Sequence, residues 1–118
     1  MRMVPVSRRV LVTALLVVLV RILAESDPFG GDHAIVLETL DAIAQVGPLS
    51  DEQAVSVLGA LLRKKKLLAR RKVKAVRLKS LAALRAIRTP GAARVLDEAA
   101  RTGDRMLRRL ARLERTGG

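Results

Sequence analysis

The chain repeats itself. Ala34–Val46 lies over Ala75–Ile87 at an offset of forty-one residues; of the thirteen aligned pairs four are identical and four are close exchanges, Ile35/Val76, Thr39/Ser80, Ile43/Leu84 and Val46/Ile87. A second match follows each copy, Ala54–Leu58 over Ala92–Leu96 at an offset of thirty-eight, so the connection inside the second copy is three residues shorter. Each copy reads helix, turn, helix. A unit of that size cannot bury its apolar face alone, and a period near forty is that of helix pairs stacked into a solenoid. Leu40, Ile43, Leu58, Leu81 and Leu84 hold repeat-matched apolar positions and are the expected core.

Composition points the same way. At 118 residues the chain has the length of one domain. Phe29 is the sole aromatic residue, so the core must be built from Leu, Val, Ile and Ala, which favours stacked helices over a β-sandwich. No segment alternates apolar and polar residues over the length of a strand. The fold class is therefore all-α: an α-solenoid of about three helical layers and six helices, forming a single domain over 1–118. Its parts are an apolar first helix within 1–26, repeat units at 33–66 and 70–101, and a terminal half-repeat at 104–115. The first helix runs from about Val6 to Ala24 and is closed by the Pro28 and Gly30-Gly31 loop. Ser50 with Gln53 reads as a capping box for a helix that reaches about Lys66. Thr89 reads as an N-cap, with Pro90 at the first helical position of the next helix.

Val76-Arg77-Leu78 opening one helix, Leu81-Ala82-Ala83-Leu84-Arg85-Ala86-Ile87 closing it and Thr89-Pro90-Gly91-Ala92-Ala93 starting the next resemble the HEAT repeat family in its short, bacterial, Ala/Leu/Arg-rich form. The resemblance spans roughly Ala34 to Leu113. It implies an α-solenoid that binds other macromolecules and usually carries no catalytic group. The first helix and the small number of repeats depart from the family pattern.

Charge is divided sharply along the chain. From Arg63 onwards there are nineteen Lys or Arg and four Asp or Glu, a net +15; before it there are four against seven, a net −3. The densest run is Arg63-Lys64-Lys65-Lys66, followed by Arg70-Arg71-Lys72 and Lys74. At 100° per residue Arg70, Lys74, Arg77, Arg85 and Arg88 fall within about an 80° arc that also holds Leu81. The partner-binding surface expected from these patterns is a basic stripe of Arg63, Lys64, Lys65, Lys66, Arg70, Lys74, Arg77, Arg85 and Arg88, facing a protein partner with an acidic surface. The stripe also suits a nucleic-acid backbone, since phosphate contacts need only cations and helix N-termini. Specific nucleic-acid reading is disfavoured, and single-strand binders stack bases on aromatic rings, of which the segment has none.

The first helix carries a different possibility. Val10–Val20 is free of charge, is preceded by Arg2, Arg8 and Arg9, and is followed by Arg21. Eleven residues of helix cover about 16 Å, against a bilayer core of about 30 Å, so a spanning helix is a poor fit. Ser7-Arg8-Arg9-Val10-Leu11-Val12 looks like a twin-arginine export signal, yet Ile22-Leu23-Ala24 offers no small-x-small cleavage site. The expected setting is a cytoplasmic protein with this helix in the core, the alternative an exported or membrane-associated one. A full partner helix is missing at Asp27–Asp32, so self-association through Val10, Leu11, Ala14, Val17, Val18 and Leu19 is expected as well.

Chemistry is sparse. The lone histidine, His33, sits beside Asp32 at a helix start, where an Asp N-cap and a polar neighbour account for both. Asp97 and Glu98 are adjacent on a helix and point apart. Without cysteine, and with one histidine, no metal-ligand set is evident. No catalytic residue, metal or cofactor is expected, and the chain reads as a non-catalytic scaffold.

Overall fold

The computed structural model describes residues 8–116, and these are arranged as six α-helices: α1 Arg8–Glu25, α2 His33–Val46, α3 Glu52–Arg63, α4 Arg70–Ile87, α5 Pro90–Thr102 and α6 Arg105–Thr116, with a 3-10 turn at Gly47–Leu49. No strand occurs among the described residues. The positions expected at the extreme N-terminus, Arg2 and the twin-arginine segment's Ser7 among them, lie outside this range.

Local chemistry sets most boundaries. Thr89 caps α5, its hydroxyl accepting from the Ala92 N–H at 3.1 Å while Pro90 occupies the first turn. The start of α3 is a correction. Asp51, not Ser50, is the N-cap, accepting from the Ala54 N–H at 3.0 Å, so Gln53 closes no capping box. Ser50 instead ends the 3-10 turn with its N–H donating to the Gly47 carbonyl at 2.9 Å. Gly47 itself has φ 58 and ψ −127, a region in which a side chain is strained, and a Cβ there would lie 3.3 Å from the Ala86 carbonyl oxygen. Asp32 stands at the N-cap position of α2 without capping it; its carboxylate turns back into the preceding loop to accept from the Asp27 N–H at 3.0 Å. His33 is held through Nδ1, 2.8 Å from the Pro28 carbonyl oxygen.

The helix ending expected near Lys66 comes three residues early, at Arg63. Lys64 is already extended, with ψ 140. The carbonyls of Leu62 and Lys64, which a further turn would have used, have another donor, described below.

The helices form two layers. One contains α1, α3 and α5 in order, the other α2, α4 and α6, and neighbours within each layer touch. Across the layers α1 packs on α2, α3 on α4, and α5 on α6. Leu40, Ile43, Leu58, Leu81 and Leu84, the expected core positions, are fully buried. The slab measures 59 × 32 × 19 Å with a radius of gyration of 15.0 Å. A globule of this length would have about 13.5 Å, so the molecule is drawn out along one axis.

Two aligned positions share a local environment. Thr39 and Ser80 are aligned in sequence, both are buried, and each hydroxyl donates to the carbonyl one turn back, Ile35 and Val76 respectively, at 2.7 Å. Between the copies the surfaces have diverged in a complementary sense: Lys79 of α4 holds both oxygens of Asp41 of α2, at 2.7 and 3.0 Å.

The first helix is only half covered. Leu16, Leu19, Val20 and Leu23 face α2 and α3, whereas Val10, Leu11, Leu15, Val17 and Val18 are exposed. Leu19 therefore leaves the set expected at an outer contact. No described helix is long and apolar enough to cross a membrane.

Candidate functional site

Arg77 does not belong to any surface. Its side chain is 2% exposed. Nε donates to the Leu62 carbonyl at 3.1 Å and Nη2 to the Lys64 carbonyl at 3.5 Å, so the guanidinium takes up the open C-terminal carbonyls of α3. On its other side it holds the Asp104 carboxylate in a two-pronged bond, Nη1 to Oδ1 at 2.9 Å and Nη2 to Oδ2 at 2.8 Å. Asp104 in turn caps α6, accepting from the Leu107 N–H at 2.9 Å. The Arg77 hydrogen bonds hold the Asp104 carboxyl below the usual carboxylate range, assisted by the Leu107 N–H and opposed by partial burial. A buried guanidinium thus ties the end of α3 to the start of α6.

The 80° arc is therefore not a continuous basic stripe. It is the inward face of α4 at mid-helix, where Leu81 and Arg77 are both buried, and it reaches solvent only towards its two ends. At the far end Arg88 is exposed in the left-handed conformation that closes α4, and half-buried Arg85 lies 3.6 Å from Glu114. Arg63 is exposed and donates to the Thr102 hydroxyl at 3.1 Å, linking the ends of α3 and α5. The nine expected contact residues are not brought together. Lys64, Lys65, Lys66, Arg70 and Lys74 remain as a solvent-facing cluster around the start of α4.

What the structure adds to that cluster comes from α6. Arg70, Arg71 and Lys74 of α4 and Arg105 and Arg109 of α6 line a groove of about 500 Å³ together with the apolar Met106, Leu110 and Leu113. No carboxylate lines it. A second hollow of about 330 Å³ continues past Lys65, Lys66, Leu67 and Arg105 towards the buried Arg77–Asp104 pair. The start of α4 contributes further positive potential: its N-cap, Ala69, offers no side-chain acceptor, its first turn has no acidic residue, and the positive end of the helix dipole lies there.

Arg105 and Arg109 were not identifiable from spacing within α4, because they come from another helix. The signal for Arg77 was present in the repeat: it aligns with Val36, which is fully buried in α2. A residue aligned with a buried valine faces inwards whatever its charge. Among the described residues no three His, Asp or Glu side chains converge as a metal-ligand set. No family model matches the sequence, and neither a curated protein nor a solved structure matches it.

Proposed function

We propose that this chain is a non-catalytic, HEAT-like interaction module, and that the groove between α4 and α6 seats an acidic, amphipathic segment of a protein partner. The observation that carries this is the composition of the groove: five cations, three apolar side chains and no carboxylate line it. An acidic helix with one apolar face meets both requirements, placing aliphatic anchors on Met106, Leu110 and Leu113 and carboxylates against the arginines. A nucleic-acid backbone would use the cations and leave the apolar side chains uncovered. The two-layer order of the helices and the equivalence of Thr39 with Ser80 support the HEAT-like part.

The test is a titration of a labelled amphipathic peptide, Glu on one face and Leu on the other, followed by fluorescence anisotropy. Arg105→Glu with Arg109→Glu lowers its affinity about tenfold or more, as loss of close charge pairs requires. Absence of binding at low salt contradicts the proposal, and tighter binding of duplex DNA than of the peptide transfers the groove to the nucleic-acid alternative. Self-association is a second reading with its own observation, the row of exposed Val10, Leu11, Leu15, Val17 and Val18 on α1, which a second copy would cover.

A further inference from the structure

The most exposed large apolar side chains in the described chain are neighbours, Leu67 at 92% and Leu68 at 98%. They are not on a helix face. They occupy the two central positions of a hydrogen-bonded turn, closed by the Ala69 N–H donating to the Lys66 carbonyl at 3.1 Å. Such positions ordinarily go to Gly, Asn, Asp or Pro, whose side chains tolerate water or favour the bend. Two leucines there gain nothing from the fold. They stand between Lys64, Lys65 and Lys66 on one side and Arg70, Arg71 and Lys72 on the other, all exposed. The chain has no Asp or Glu from Gln53 to Leu96 to offset them.

We propose that the Lys66–Ala69 turn is a membrane-docking tip that inserts Leu67 and Leu68 into the surface of an anionic bilayer while the flanking cations meet lipid headgroups. The division of labour follows from the chemistry of that surface. Basic residues near an anionic leaflet draw the protein in through a field that decays within a Debye length, and apolar side chains that reach the acyl boundary then leave water. A soluble polyanion would satisfy the cations and give the leucines no apolar surroundings. The site is distinct from the apolar face of α1 and from the apolar side chains of the α4–α6 groove, so it goes beyond the partner-binding reading.

Vesicle co-sedimentation tests it, with about a third phosphatidylserine in phosphatidylcholine against phosphatidylcholine alone, at about 0.15 M salt. The parent chain pellets with the anionic vesicles and scarcely with the neutral ones. Leu67→Ser with Leu68→Ser lowers the partition coefficient about tenfold or more, since two leucines no longer leave water. Circular dichroism of that variant matches the parent, because neither side chain packs on the protein. Val17→Glu with Val18→Glu on α1 leaves vesicle binding in place. The chain has no cysteine, so a fluorophore on Leu68→Cys reports the tip alone, and its emission shifts to the blue when anionic vesicles are added. Failure to bind anionic vesicles overturns the proposal, as does equal binding by the double-serine variant or a loss confined to the α1 variant. The acidic-peptide titration is read on Leu68→Ser alone, the leucine that lines neither the α4–α6 groove nor the hollow that continues it, and is unchanged there, so failure of the groove and failure of the tip are separate results.

Discussion

Arg77 is the residue whose environment departs most from its type. Burying a guanidinium is costly unless its charge and its N–H groups are matched, and here two backbone carbonyls and a carboxylate do so. Asp104→Ala removes the charge partner and the α6 cap together; equilibrium denaturation will show a loss of about 3–5 kcal/mol. Arg77→Met with Asp104→Ser, which keeps a capping hydroxyl and removes both charges, will be more stable than Asp104→Ala. A double variant less stable than the single one would contradict the account of this pair. The same pair sets an acid limit. The Asp104 carboxyl has its pKa lowered in the folded state, so its contribution is fully present above the ordinary carboxylate value and is lost as pH falls through the depressed one. Thermal melts of the parent will therefore fall more steeply below about pH 4 than those of Arg77→Met with Asp104→Ser. Leu84, fully buried at a repeat-matched position, will cost about 2–5 kcal/mol on change to alanine. These core residues were legible because repetition marks them twice. The inward turn of Arg77 was equally written in its alignment with Val36, but charge counted along one helix conceals it.

At the scale of elements, α4 is held against its own electrostatics. Arg70, Arg71 and Lys72 occupy its first turn, where the helix dipole favours anions by about 0.3–1 kcal/mol per charge, and no side chain caps it. Tertiary contacts hold it, through Val73 and Val76 on the neighbouring helices and Arg77 on α3 and α6. Helix identities were legible from periodicity, while two ends were not. The start of α3 was misplaced because Ser50 and Asp51 are both good caps, and only the path of the chain through Gly47–Leu49 selects between them. The end of α3 was misplaced because Lys64–Lys66 have good helix propensity, whereas the carbonyls of Leu62 and Lys64 are taken by a side chain fifteen and thirteen residues away. For α1 the half-covered apolar face carries a measurable consequence. Sedimentation equilibrium at tens of micromolar, a range that detects weak contacts, will give a mass above that of a monomer. Val17→Glu with Val18→Glu will restore the monomer; a monomeric parent would assign that face to something other than a second copy.

Over the whole molecule, charge is divided between the two halves of the chain. The segment before Arg63, which holds α1, α2 and most of α3, carries a net −3, and the segment from Arg63 onwards, which holds the Lys64–Lys66 run, α4, α5 and α6, a net +15. Sequence carried that asymmetry and the all-helical architecture, but not the surface that results, because the groove joins residues about thirty-five positions apart, such as Arg70 and Arg105. The proposed module would present this basic half to an acidic partner and leave the α1 end to another contact. Amide chemical-shift mapping of the labelled chain with the amphipathic acidic peptide examines that assignment most directly. Perturbations concentrated at Arg70, Arg71, Lys74, Arg105, Met106, Arg109 and Leu113, and abolished by Arg105→Glu with Arg109→Glu, are the result expected. Shifts confined to α1 and α2, or spread over every exposed lysine and arginine alike, would contradict a groove built to receive one acidic segment.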